Sequence, residues 1–163
     1  MSAAAAVDVL PEFCTIYVRI SFDQRGDALG VARQEKSCRE LAERLGWTVA
    51  EVITDNDESA ITGKRPGYRK LISQIRSGDV TKLLTYHNDR LLRQPRELED
   101  LIDYCDGGDV QIKTVAAGDF DLNTSIGRTF ARTVIAFARG ESDRIGERMK
   151  AKQSELRKSG KVH

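Results

Sequence analysis

The sequence contains few cysteines and no long apolar run. Its three cysteines are odd in number and widely spaced, which favours reduced, buried thiols over disulfides or a zinc site; they are Cys14, Cys38 and Cys105. No stretch of about eighteen apolar residues is present, and residues 1–13 lack the basic start and long apolar centre of a signal peptide. We therefore expect a cytoplasmic protein with no membrane partner.

The net charge is close to zero, and there are only two histidines. The 26 Lys and Arg residues nearly balance the 25 Asp and Glu residues, and the formal net charge of +1 argues neither for nor against a nucleic-acid partner. Neither His87 nor His163 lies where a catalytic serine–histidine pair could be argued. With 40% apolar residues among 163, the chain is long enough for one domain with a sizeable core.

The apolar pattern switches repeatedly between a period of two, typical of strands, and helical spacing. Strands are predicted at 15–21, 48–54, 80–86 and 110–115, and helices at 29–45, 68–76, 95–105 and 126–158. This alternation predicts an α/β fold with a mostly parallel sheet, helices on both faces and right-handed crossovers. The apolar strand at 15–21 is expected at the centre of the sheet.

The predicted helix 126–158 is long enough to project from the domain. At about 1.5 Å per residue it would extend about 50 Å, against a radius of gyration of about 15 Å for a domain of this size. Its apolar residues keep three- and four-residue steps, typical of a seam for a partner helix, so we expect a homodimer. They are Ile126, Phe130, Val134, Phe137, Ile145, Met149 and Leu156. Residues 128–163 carry a local net charge of +6, which suits contact with a DNA backbone.

Polar residues are expected to meet where the first and third strands end. Arg19 and Ser21 are neighbours on one face of the first strand, about 7 Å apart. The third strand runs into HNDRLLR at 87–93, which supplies Asp89, Arg90 and Arg93. If this segment is helical, Asp89 and Arg93 lie on the same face of the helix. The carboxyl edge of an open α/β sheet is where ligands bind, so this edge is the candidate site.

Several arginines around one serine repel each other unless an anion binds among them. Arg65 can join them from the aperiodic segment 55–68, which is longer than most connections in compact domains. A structural salt bridge explains any single Asp–Arg pair, but the planar fork of arginine also suits phosphate. A serine hydroxyl without a histidine must be activated by positive charge or through the phosphate itself.

In these motifs the chain resembles the serine recombinase catalytic domain of resolvases, invertases and large serine integrases, over roughly 15–156. The resemblance rests on four groups of residues: Tyr17-Val-Arg19-Ile-Ser21 with Gln24 and Gln34; Ser59 before Gly63-Lys-Arg65-Pro66; Asp89-Arg90-Leu-Leu-Arg93; and ARGESDRIGERMKAK, with Glu141, Arg144 and Arg148 in the matching places. The interval from Ser21 to Gln34 and the helical tail favour the large integrase branch.

The resemblance implies site-specific DNA strand exchange. Ser21 would attack a phosphodiester to give a 5′-phosphoserine bond and a free 3′-hydroxyl, without ATP, a cofactor or an obligatory metal. Arg19, Arg90 and Arg93 would hold the phosphate, Arg65 would join them when the site assembles, and Asp89 would orient an arginine or act as acid or base. Gln34, Ser59 and Tyr17 would support the site. The implied partners are double-stranded recombination sites and further copies of the chain, a dimer and then a synaptic tetramer, in a bacterial host.

The predicted organisation has four parts: a flexible tail at 1–13, a catalytic domain at 14–125, a dimerisation and DNA-contacting helix at 126–158, and the start of a linker at 159–163. Two alternatives stay open. One is a non-catalytic module that dimerises and anchors on DNA. The other is a metal-dependent nuclease built from five acids in two loops, which are Asp55, Asp57, Glu58, Asp119 and Asp121.

Overall fold

The computed structural model describes residues 11–19, 27–55, 65–92, 94–106, 110–116 and 121–158. Its strands are β1 (Glu12–Arg19), β2 (Trp47–Asp55), β3 (Lys82–Thr85) and β4 (Gln111–Thr114). Its helices are α1 (Asp27–Leu45), α2 (Pro66–Ser77), α3 (Asn88–Leu91), α4 (Pro95–Cys105) and α5 (Ser125–Lys158). The strands and helices alternate as the periodicity predicts, with α3 as an additional short helix.

The four strands form one parallel sheet in the order β2-β1-β3-β4. The predicted α/β class and the central place of β1 are confirmed. β1 begins three residues before the predicted start because Glu12 and Phe13 already pair with Trp47 and Thr48. From β1 the chain continues to β2, which lies on one side of β1, and then crosses to β3, which lies on the other side of β1. This reversal creates a crevice at the carboxyl ends of β1 and β3.

Helices cover both faces of the sheet, as expected. On one face, α1 places Cys38 and Ala42 against Ile16 and Val18 of β1. On the other face, α2, α4 and the start of α5 pack around Tyr17 of β1. Because β1 is central, its successive side chains are buried on alternate faces, and residues 14–19 are all buried.

The last helix, α5, confirms the predicted long element. Its 34 residues correspond to about 51 Å. Ala131 is fully buried and Ile135 packs against the core, so the first turns anchor the helix. From Ala136 to Ser154 the side chains that the structure describes are exposed, apart from the half-buried Gly146. Among the described helices, none is both long and apolar enough to span a bilayer.

Candidate active site at the carboxyl edge of the sheet

Hydrogen bonds connect the end of β1 to the segment that follows β3. Arg19 is the last residue of β1 and is only 7% exposed. Its Nη2 donates to the carbonyl of Asp89 over 2.8 Å and its Nε donates to the carbonyl of Arg90 over 3.2 Å. Three of the predicted site residues therefore lie together at the crevice between β1 and β3.

The segment after β3 forms a helix of four residues, α3, rather than a longer one. Leu92 adopts an extended conformation with φ −112° and ψ 134°. Leu91 and Leu92 are both buried in the core, which anchors the end of this short helix. Because α3 ends at Leu91, it does not extend far enough to place positions 89 and 93 on one helical face. Arg93 itself lies outside the described residues.

His87 caps α3, a role that its sequence context did not predict. Its Nδ1 lies 2.8 Å from Oδ1 of Asp89 and 3.3 Å from the backbone nitrogen of Asp89. With a proton on Nδ1 the ring donates to the carboxylate, and with the proton on Nε2 it accepts from the N–H. Little in the sequence signals this cap, because histidine is not among the side chains preferred at the N-cap position. Asp89 also lies 3.6 Å from Nε of Arg90.

Arg65 lies at the start of α2 and is 7% exposed. Its Nη1 donates to both carboxylate oxygens of Glu97, over 3.0 and 3.1 Å, and its Nη2 donates to the Tyr17 hydroxyl over 2.8 Å. The guanidinium stacks 4.1 Å from the ring centroid of Tyr68. Arg65 is thus held by protein groups in this structure. Its direct contact with phosphate, which the resemblance implies, stays a prediction.

Asp55 connects β2, β1 and α2 beneath this edge. Its carboxylate is 1% exposed and accepts hydrogen bonds from the Tyr17 hydroxyl and from the backbone N–H groups of Gly67 and Tyr68, over 2.7 to 2.8 Å. Burial raises the pKa of Tyr17, against the influence of the Arg65 guanidinium, so Tyr17 stays protonated and donates to Asp55. Tyr17 therefore connects Asp55 to Arg65 beneath this edge, and its supporting role in catalysis stays a prediction.

Asp55 was also a candidate metal ligand in the nuclease alternative. Its carboxylate is occupied by the three protein donors, and the exposed Asp121 accepts from the N–H of Asn123. Within the described ranges, no group of three or more His, Cys, Asp or Glu side chains is arranged to hold a metal. The other three acids, Asp57, Glu58 and Asp119, lie outside those ranges.

Several buried polar atoms at this edge make no hydrogen bond. Among the described residues they include Oγ1 of Thr85, both amide atoms of Asn88 and Nε of Arg90. On α1, Oε1 of Gln34, which was predicted to support the site, is also buried without a hydrogen bond to protein. Ser21, the predicted nucleophile, and Ser59 lie outside the described residues, so their roles stay predictions.

The residues predicted to form the dimer and DNA-contacting helix lie on α5 and are exposed. The fractional exposure of Phe130, Val134 and Phe137 is 53%, 36% and 78%. Phe137, Glu141 and Arg144 line one open side of this helix. Arg148 is also exposed. These residues form one surface, named here the α5 face.

The comparisons with known proteins agree with this architecture. The profile of the family described as "Resolvase, N terminal domain" matches residues 14–162. A DNA-invertase of Escherichia phage P1 is 27% identical over 146 residues, which cover 90% of this chain and 71% of the invertase. The Transposon Tn2501 resolvase of Escherichia coli is 27% identical over 103 residues, 63% of this chain and 52% of the resolvase. The chain thus spans about half the length of this resolvase.

A solved structure agrees as well. The N-terminal catalytic domain of TP901-1 integrase has a TM-score of 0.61 and 26% identity, and the match covers 83% of this chain and 99% of that domain. A resolvase family site-specific recombinase from Streptococcus pneumoniae, at 18% identity and a TM-score of 0.59, supports the fold. The resemblance to serine recombinases is confirmed, and the chain belongs to the family of the resolvase N-terminal domain.

Proposed function

We propose that this chain is the catalytic domain of a site-specific DNA recombinase that cuts and rejoins strands through Ser21. The observation that carries the proposal is the pair of hydrogen bonds from Arg19 to the carbonyls of Asp89 and Arg90. They hold the end of β1, two residues before Ser21, against the segment that carries the other predicted arginines. An anion at this crevice would meet cations from two separate parts of the chain.

In the proposed reaction, the Ser21 oxygen attacks a DNA phosphorus atom and displaces the 3′-oxygen. A phosphoserine bond forms as the phosphodiester bond breaks, and the serine proton ends on the leaving 3′-hydroxyl. Arg19, Arg90 and Arg93 stabilise the charge of the transferring phosphate, and Asp89 orients an arginine or carries a proton. The reverse attack by a 3′-hydroxyl rejoins the strands. The number of phosphoester bonds is conserved, so no nucleotide is consumed.

The proposed partners are double-stranded recombination sites and other copies of this chain, in the cytoplasm of a bacterial host. The exposed apolar residues of the α5 face are suited to a partner helix, first in a dimer and then in a synaptic tetramer. The local charge of +6 over 128–163 suits contact with phosphates, so we expect DNA binding that weakens as salt rises. Binding that does not change between low and moderate salt would contradict this part of the proposal.

The test is covalent trapping. The chain is incubated with double-stranded fragments of the genome that encodes it, the reaction is stopped with denaturant, and DNA attached to protein is isolated and sequenced. We expect adducts at discrete sites, linked through Ser21 to a 5′-phosphate. The Ser21→Ala variant should keep its fold and its DNA affinity and form no adduct. Adducts in that variant would show that another residue is the nucleophile, and processing that a chelator abolishes would favour the metal-dependent nuclease.

A further inference from the structure

The helix α3 is too short to satisfy its own last carbonyls, and two arginines from elsewhere do so. Arg19 donates to the carbonyls of Asp89 and Arg90. Arg65 donates through Nη2 to the carbonyl of Leu91 over 2.7 Å and, at 3.4 Å, to that of Arg90. Cations are favourable at the carbonyl end of a helix. Arg19 and Arg65 therefore meet at the Arg90 carbonyl and fix α3 from two sides.

Glu97, in the first turn of α4, holds the other end of the Arg65 guanidinium. Nη1 of Arg65 reaches both of its carboxylate oxygens, and the side chains of Arg65 and Glu97 are only 8% and 23% exposed. Both carboxylate oxygens accept from the same nitrogen, so this contact fixes the position of that end of the guanidinium. The other end is held by Nη2, which donates to the Leu91 carbonyl and to the Tyr17 hydroxyl.

The contacts of Arg65 favour a side chain that stays between Glu97 and α3 over one that moves away from them. Departure would leave the Glu97 carboxylate without this cation and would remove the donor from the Leu91 carbonyl and the Tyr17 hydroxyl. It would also break the stacking on Tyr68. Several contacts would therefore be lost at once, and breaking an ion pair that is largely shielded from solvent is unfavourable.

We infer that Glu97 is a positioning residue of the active site, acting through Arg65 to hold α3 and thereby the Arg90 side chain at the sheet edge. The expected effect of Glu97 on catalysis rests on the proposed function. Its effect on the position of α3 is independent of that function and can be measured without DNA. The inference is therefore tested by one experiment with DNA and one without it.

The experiment with DNA compares Glu97→Ala with the wild-type chain on a fragment that the wild type captures covalently. We expect the rate of adduct formation to fall about tenfold or more, because small displacements of a catalytic group are costly. DNA affinity should stay within about twofold, since charge-assisted phosphate contacts elsewhere are untouched. Glu97→Gln, which keeps an oxygen acceptor for Arg65, should recover part of the rate.

Glu99→Ala is the matched control. Glu99 lies on the same helix and also pairs with an arginine through both oxygens, Arg132 at 2.7 and 2.6 Å, but that pair is exposed. Its removal should leave the rate of adduct formation close to that of the wild type. A wild-type or faster rate in Glu97→Ala would overturn the inference, and a faster rate would mean that Glu97 restrains Arg65.

The experiment without DNA measures amide hydrogen exchange at 90–92, where the N–H groups of Arg90 and Leu92 bond to His87 and Asn88. We expect faster exchange in Glu97→Ala, an intermediate rate in Glu97→Gln and no change in Glu99→Ala. Unchanged exchange in both Glu97 variants would overturn the inference. If the wild type forms no adduct at all, the proposed function fails, and the exchange result still decides whether Glu97 positions α3.

Discussion

Tyr17 donates its hydroxyl hydrogen to Asp55 over 2.8 Å, and this bond joins the central strand to its neighbour beneath the candidate site. The same hydroxyl accepts from Arg65. A single phenol thus connects a buried carboxylate to a buried guanidinium. Because burial raises the pKa of Tyr17, this arrangement persists throughout the physiological pH range.

Replacing Asp55 by Asn should destabilise the fold. The carboxylate accepts three hydrogen bonds, while an amide has one acceptor oxygen and would turn its NH₂ group toward an N–H or O–H donor. We expect a loss of about 2–3 kcal/mol in the free energy of unfolding, measured by urea denaturation. The exposed Asp103→Asn on α4 is the control. Equal stability of the two variants would mean that the Asp55 contacts do not matter.

Gly67 should tolerate no side chain, whereas Gly140 should. A Cβ at Gly67 would lie 2.8 Å from Oδ1 of Asp55 and 2.9 Å from Cγ2 of Ile53, while a Cβ at Gly140 meets nothing within 4 Å. We expect Gly67→Ala to lower the free energy of unfolding by about 1–3 kcal/mol. Gly140→Ala should raise helical stability by about 0.5–1 kcal/mol. Both variants are compared with the wild type by thermal unfolding. The steric clash predicts a lower melting temperature for Gly67→Ala, and helix propensity predicts a higher one for Gly140→Ala.

The sheet and its central strand could be predicted because they follow from local patterns: alternating apolar residues and the order of strands and helices. The Arg65–Glu97 pair could not, because its partners are 32 residues apart and each is an ordinary surface residue type in the sequence. The end of α3 could not be predicted for another reason. The spacing at 87–93 is compatible with a helix or a loop, and the extended backbone at Leu92 depends on packing that the sequence pattern does not reveal.

Arg19→Lys should impair cleavage while preserving the fold. Lysine keeps the charge but cannot donate from two fixed nitrogens to the carbonyls of Asp89 and Arg90, nor offer a planar fork to phosphate. We expect the rate of adduct formation to fall by about 10²–10³, the cost of losing one donor to a developing charge. Arg39→Lys, on the exposed face of α1, is the control. Cleavage at the wild-type rate by Arg19→Lys would remove Arg19 from the catalytic group.

The three cysteines should be unreactive in the native protein. Cys14, Cys38 and Cys105 are free and at most 3% exposed, and burial raises their pKa values, to about 12 for Cys38 and about 11 for Cys105. We expect no alkylation by iodoacetamide at pH 8 and three alkylated thiols after denaturation, counted by mass spectrometry. Above the ordinary thiol pKa the unfolded chain loses protons that the folded chain keeps. Stability should therefore fall as pH rises above about 9. Rapid native alkylation would contradict the burial.

Phe137→Ser should weaken self-association without unfolding the domain. Phe137 is 78% exposed on the α5 face, on the same side of the helix as Glu141 and Arg144, so its removal costs little in the monomer. If the α5 face binds a second copy, losing a large aromatic anchor should raise the dimer Kd by at least about tenfold, measured by analytical ultracentrifugation. Phe13→Ser replaces another exposed phenylalanine, 55% exposed on β1, and should leave the dimer unchanged. The same Kd for both variants would place the interface elsewhere, and a lower rate of adduct formation in Phe137→Ser alone would connect dimerisation to strand cleavage.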